Sequence, residues 1–165
     1  MITEVKGNIF NFIEEGCILL HQVNCQGVMG GGIAKTVKEL FPEVFTRYKN
    51  YCSKTNKDCL GDMLPVMSKY NKCNFYIGNC FGQKYYGRDK RYTDYEGLKR
   101  SLDLVTIFLG IDDSPCSKIL IPKYIGCGLA GGDWNIVSEI IDEVFKDHEV
   151  LIVDFDGSKI AKIQK

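Results

Sequence analysis

No stretch of this sequence is apolar for long enough to span a bilayer, and Met1–Lys6 carries no signal-peptide core. No membrane association is expected, and the cytoplasm is the expected location. An excess of one charge is missing as well: 21 Lys and Arg stand against 21 Asp and Glu. Non-specific nucleic-acid binding draws on a basic excess, so nucleic acid is not the expected partner, although a local basic patch stays open. The eight cysteines include no Cys-x-x-Cys pair. Neither a zinc site nor a thioredoxin-like motif is supported, and no metal or other cofactor is expected. Scattered thiols inside apolar stretches, such as Cys17 and Cys80, read as reduced and buried. Internal repeats, low-complexity tracts and linkers are also missing, so the 165 residues read as one domain, 1–165.

Within that frame, strands alternate with helices. Ile2–Lys6, Cys17–Val23, Asp62–Ser68, Asn74–Cys80, Lys118–Pro122 and Val150–Val153 read as strands, the second being apolar almost throughout, as a strand covered on both faces is. Ile33, Val37, Leu40 and Phe41 recur at helical spacing. Pro42 breaks that helix and opens the next, which Val44, Tyr48, Tyr51 and Cys52 continue. Thr93-Asp94-Tyr95-Glu96 has the form of a capping box before a third helix marked by Leu98, Leu102, Val105 and Leu109. Asp112–Ser117, with Pro115, reads as a loop. Val137, Ile140, Ile141, Val144 and Phe145 mark a fourth helix, with Asp133 placed to cap it. The fold class is α/β, a three-layer α/β/α sandwich.

Two glycine-rich segments stand out, each joining a strand to a helix. Asn24–Ala34 contains Gly27, Gly30, Gly31 and Gly32, and Ile125–Trp134 contains Gly126, Gly128, Gly131 and Gly132. Glycine lets a backbone approach a ligand closely, and a helix start offers unpaired N–H groups at the positive end of its dipole. Two such loops in one small domain point to a clamp for a diphosphate. Gly126-x-Gly128-x-x-Gly131 also matches a dinucleotide fingerprint, with Asp154 closing the next strand. The strands that should follow it in a dinucleotide-binding fold are missing, and Gly132 lengthens the turn, so it is read as a phosphate motif rather than an NAD motif.

Several side chains are chemically suited to such a site. His21 and Asn24 come at the end of a buried strand, where ligands meet open α/β sheets. His21 reads either as a proton-transfer group or as a hydrogen-bonded core histidine. Asn24 offers donors and an acceptor for sugar hydroxyls, or caps its loop. Asp133 reads as a base for water or as a helix cap. Trp134 reads as a lid or as core. Lys84, Arg88, Lys90 and Arg91 are interleaved with Tyr85, Tyr86 and Tyr92, which reads as a solvated loop or as a contact for a phosphate or nucleic-acid strand.

Val5–Ile9, His21–Ala34, Ile121–Trp134 and the last helix with its strand together resemble the macro domain, the ADP-ribose-binding α/β/α fold. The stretch from His21 through Asn24, Gly27, Gly30, Gly31, Gly32, Ile33 and Ala34 is similar to small stand-alone members that remove phosphate from ADP-ribose 1″-phosphate. The resemblance implies a central mixed sheet of about six strands and a small-molecule ADP-ribose derivative as ligand. It places Gly7, Asn8 and Ile9 near the adenine, and Asn24 at the distal ribose. Gly30, Gly31, Gly32, Ile33 and Ala34 would grip the diphosphate and distal ribose from one side, and Gly126, Cys127, Gly128, Leu129, Ala130 and Gly131 from the other. Asp154 or Phe155 would flank the adenine. Catalysis is assigned to His21, Asn24 and Asp133 in a metal-independent phosphatase; the sequence leaves the oligomeric state open, with a monomer expected. Non-catalytic binding of ADP-ribose, and its hydrolysis from protein or nucleic acid, are the alternatives. Ala130 stands where the branch that clears ADP-ribose from carboxylates carries a catalytic Asp, and this favours the phosphatase. Lys84 is a loose match to a Lys that the same branch uses.

Overall fold

The computed structural model describes residues 1–56, 58–111 and 118–161. Six strands form one sheet in the order β1-β6-β5-β2-β4-β3. They are β1 (Ile2–Gly7), β2 (Ile18–Gln22), β3 (Met63–Tyr70), β4 (Cys73–Cys80), β5 (Ile119–Pro122) and β6 (Val150–Phe155). All neighbours run parallel except β3, which pairs antiparallel with β4. The helices are α1 (Gly32–Leu40), α2 (Pro42–Lys54), α3 (Tyr95–Ile111) and α4 (Trp134–Val144). The sheet is therefore mixed and six-stranded, as expected. A short 3₁₀ turn, Ile9–Phe12, was not foreseen; Asn8 starts it by accepting from Phe10 N–H. The expected loop 112–117, which includes Cys116, lies outside the described residues.

Strand alternation builds two cores. Leu19, Ile77, Leu120 and Val153 pack with α1 and α2 through Val37, Phe41, Val44 and Tyr48. Ile18, Leu20, Ile119, Ile121 and Ile152 pack with α3 and α4 through Leu98, Leu102, Val137 and Ile141. Each fully buried aliphatic side chain of this kind contributes about 1.5–3 kcal/mol. Pro42 sits in the first turn of α2, where its missing N–H costs nothing. The expected capping box shifts by one residue. Asp94, not Thr93, accepts from Gly97 N–H at 2.8 Å to start α3, and Thr93 is used elsewhere. Of the seven described cysteines, five are buried.

This topology sends the C-terminal ends of β1, β6, β5, β2 and β4 to one edge of the sheet. Both glycine loops leave from that edge.

Candidate functional site

A cleft of about 690 Å³ runs along the edge. One end lies over β1 and β6, where Asn8, Ile9, Phe155 and Ile160 line it. The other lies over β2 and β4, where Gln22 and Gln83 line it. Between them the two glycine loops face each other. A Cβ added at Gly31 would sit 3.0 Å from Leu129 Cδ1, so the first loop can approach the second only without a side chain there.

The first loop is held from behind. Asn24 Oδ1 accepts from Gln26 N–H at 2.9 Å and from the Tyr48 hydroxyl at 2.7 Å, while Asn24 Nδ2 donates to Val28 O at 2.9 Å. Tyr48 comes from α2 and is fully buried. The loop then delivers the start of α1, whose N-cap is Gly31, with no side chain closing the helix end. The first-turn N–H groups of α1 thus point out at the Gly31–Ala34 wall of the cleft, where the helix dipole favours an anion.

The second loop is built differently. Gly126 has φ +73° and lies against the Gln22 amide, so it needs both the left-handed conformation and the missing side chain. Gly132 N–H donates to Gly126 O at 2.9 Å, and a Cβ on Gly132 would fall 2.5 Å from that oxygen. This accounts for the extra glycine that lengthens the turn. The helix that follows is closed by its own side chain, because Asp133 Oδ1 accepts from Asn135 N–H at 2.9 Å. The N–H groups of Gly128, Leu129 and Ala130 donate to no acceptor among the described residues. Gly128, Leu129 and Ala130 all line the cleft. Anion binding by this loop thus falls to turn amides rather than to the helix end.

Beneath the β2/β4 end lies a polar network that the sequence reading did not single out. Gln22 Nε2 donates to Gln83 Oε1 and to Thr93 Oγ1, both at 2.9 Å. Thr93 Oγ1 donates to Gly126 O at 2.5 Å, and Gln83 Nε2 to Tyr85 O at 2.8 Å. Gln22 Oε1 is buried with no partner. A signal for Gln22 existed. It sits between His21 and Asn24 at the same strand end, and alternation along β2 turns Gln22 and His21 to opposite faces.

That alternation corrects the expectation for His21. Its imidazole is fully buried on the α1/α2 side, with Nε2 2.7 Å from Asn79 Oδ1. Asn79 Nδ2 donates to Leu64 O, which leaves Oδ1 to accept from Nε2–H. Burial holds the ring neutral by lowering its pKa to about 4, against a smaller raising effect of the Asn79 bond. His21 is the core histidine, without access to the cleft. Asp133 is the helix cap, and Asn24 spends its side chain on its own loop; neither lines the cleft.

Of the other expected residues, Asn8, Ile9, Gly31, Gly32, Ile33, Ala34, Gly126, Gly128, Leu129, Ala130 and Phe155 line the cleft. Gly7, Gly30, Cys127, Gly131 and Asp154 do not. Gly7 lies under the Phe12 ring, Gly30 is exposed before α1, and Cys127 turns toward the α3/α4 core. Gly131 packs on the Arg91 backbone, and Asp154 pairs with Lys123 at 3.7 Å. Asn8 lines the cleft by position, but its side chain is occupied. Oδ1 accepts from Phe10 N–H, and Nδ2 donates to Ser158 O at 3.0 Å. Trp134 is half-buried, edge-on to the Tyr124 ring.

Comparison with known proteins places these features beside those of relatives. A family model described as "Macro domain" matches residues 20–141. The ADP-ribose 1″-phosphate phosphatase of Saccharomyces cerevisiae is 32% identical over 88% of this chain and 94% of its own. The DNA ADP-ribosyl glycohydrolase of Mycobacterium tuberculosis is 30% identical over 88% of this chain, which spans 39% of that protein's length. The solved macrodomain of Mycobacterium tuberculosis DarG superposes with a TM-score of 0.75 at 27% identity, over 93% of this chain and 97% of that one. Against other phosphatases of that name the shared part is smaller. The chain spans 25% of the length of the one from Aspergillus fumigatus.

Proposed function

The chain belongs to the macro domain family, and from that premise we propose that it is a hydrolase of ADP-ribose derivatives, acting on ADP-ribose 1″-phosphate to give ADP-ribose and phosphate. The observation that carries this reading is the pair of walls across the cleft. The open end of α1 at Gly31–Ala34 and the unpaired amides of Gly128–Ala130 face one volume, and both suit phosphate oxygens.

In this reading the diphosphate lies between the walls. The base lies toward Ile9, Phe155 and Ile160, and is gripped by apolar contact, because both polar atoms of the Asn8 side chain are taken up within the chain. The distal ribose and its 1″ substituent then lie toward Gln22 and Gln83. Fixed backbone N–H groups of the two walls hold the diphosphate without having to reorganise, which fixes the position of the 1″ phosphate for attack. The Gln22 amide, whose Oε1 is left without a partner, orients the attacking water and the ribose hydroxyls, and Gln83 holds that amide in place; they take the part that His21 and Asp133 were expected to play. Positioning of this kind supplies much of the acceleration in phosphoryl transfer. No metal takes part, and turnover continues in excess chelator.

A second reading, release of ADP-ribose from a modified macromolecule, is supported by the similarity to the mycobacterial glycohydrolase. Against it stands Ala130, buried and aliphatic, at the position after Gly126-Cys127-Gly128-Leu129. The test pairs calorimetry with ADP-ribose and a phosphate-release assay on ADP-ribose 1″-phosphate. Binding with release is expected, and Gln22→Ala with Gln83→Ala should bind ADP-ribose but turn over at least ~100-fold more slowly. Binding without release overturns the enzyme and leaves a reader. Loss of the label from ADP-ribosylated DNA or protein, without phosphate release, selects the second reading.

A further inference from the structure

The base end of the cleft is bounded by a strap. Residues 158–161, which follow β6, are tied to the 3₁₀ turn by two asparagines. Asn8 Nδ2 donates to Ser158 O and Asn11 Nδ2 to Lys159 O, both at 3.0 Å, and Asn11 Oδ1 accepts from Ala161 N–H at 2.7 Å. These bonds hold Ile160 at the cleft, where it joins Ile9 and Phe155. Phe155 is 68% exposed, so its ring is open to a flat partner.

The Asn8 carboxamide is fixed from both sides. Its Oδ1 accepts from Phe10 N–H at 3.1 Å, and its Nδ2 faces a carbonyl, which can only accept. Those two bonds leave the carboxamide one hydrogen and one lone pair. Among the described residues, no Asp or Glu lines the cleft. The carboxylates on and just after β6 are engaged elsewhere. Asp154 pairs with Lys123 at 3.7 Å, and Asp156 accepts from the Ser158 hydroxyl and, at 2.9 Å, from Ser158 N–H. An amino group on a bound base therefore meets no charged acceptor.

We propose that the cleft does not select adenine, and that it takes a purine nucleoside diphosphate-ribose whether the base carries an exocyclic amino group or a carbonyl in its place. The inference rests on the reading of the cleft as an ADP-ribose site and widens the substrate class of that site. Apolar and stacking contacts read the face of a base, which all purines share. Telling an amino group from a carbonyl takes a fixed polar group that suits one and is left unpaired by the other. Asn8, the polar side chain at this end, spends its amide on the strap, and its remaining hydrogen and lone pair suit a carbonyl and an amino group alike. Ile9 N–H, which donates to no acceptor among the described residues, is equally neutral. It can serve a ring nitrogen of one base or the carbonyl of the other.

The test is calorimetry on the full chain with ADP-ribose and with its hypoxanthine counterpart, in which a carbonyl replaces the amino group of adenine. The two Kd values should agree within ~5-fold. Asn8→Asp then introduces the missing charge. One carboxylate oxygen still accepts from Phe10 N–H, while the other cannot bond Ser158 O, because both are acceptors. That variant should favour ADP-ribose over the counterpart by at least ~10-fold more than the wild type does. Phe155→Ala should weaken both ligands by the same factor and leave their ratio unchanged. A wild-type preference for either ligand beyond ~5-fold overturns the proposal, as does an Asn8→Asp ratio equal to that of the wild type. If the wild type binds ADP-ribose and rejects the counterpart, the reading of the cleft stands and base tolerance alone fails. If it binds neither, the reading of the cleft fails and the proposal falls with it.

Discussion

The two glycine loops have similar composition and leave the same sheet edge, but they present their amides differently. The first leads into α1, whose end is left open behind Gly31; the second leads into α4, whose end is closed by Asp133. The first is anchored by a side chain behind it, Asn24 on Tyr48, so its front is free. The second is anchored through its own backbone, with Gly126 O accepting from Thr93 and from Gly132. Glycine therefore does different work in each. In the first it clears space toward the cleft, and in the second it lets the chain fold back on itself.

The largest predicted effect breaks the symmetry directly. Gly31 has φ −149° and ψ 163°, which any residue adopts, so Gly31→Val meets no backbone strain. Its side chain would enter the gap toward Leu129, where even a Cβ is 3.0 Å away. Affinity for ADP-ribose should fall by roughly 1,000-fold, about 4 kcal/mol, with little change in Tm. Calorimetry with thermal melting checks both halves. Binding retained within ~10-fold would mean that the walls do not enclose the ligand.

Much of this arrangement was legible before the fold was known. Apolar runs and helical spacing located six strands and four helices, because buried strands and amphipathic helices leave periodic traces. The glycine loops marked the cleft, since runs such as Gly30-Gly31-Gly32 have no use inside regular structure. What stayed hidden depends on direction and on partners distant in sequence. The choice between His21 and Gln22 is a choice of strand face at a strand end. The role of Thr93 depends on Gly126, thirty-three residues away, so a capping-box pattern was read where Asp94 is the cap. Asn8 looked free in sequence, yet Ser158, from the far end of the chain, occupies it.

The second prediction sharpens the division between wall and core. His21 titrates near 6.5 in the unfolded chain and near 4 in the fold, where burial disfavours the charged ring. The folded state thus binds fewer protons between those values. The contribution to stability is complete above pH 6.5 and is lost as pH falls toward 4, by about 3 kcal/mol. Chemical denaturation across that window should show this slope, and His21→Gln should remove it. Turnover, by contrast, should show no inflection that His21→Gln abolishes. A pH–rate limb lost in that variant would return the histidine to the chemistry.

The smallest effect concerns Asp133, where a cap and a catalytic base make opposite demands on one carboxylate. A base must face the substrate, whereas this Oδ1 already accepts from Asn135 N–H and helps start α4. Asp133→Ala should therefore cost about 1 kcal/mol of stability, the usual price of a lost N-cap, and leave the rate of phosphate release within ~2-fold. Asp133→Asn separates the roles further, because asparagine caps a helix as well as aspartate does but cannot take up a proton. Full stability with full turnover in Asp133→Asn assigns the residue to the helix. Full stability with a rate lowered ~100-fold or more would assign it to the reaction and make the second wall, not the first, the chemical one.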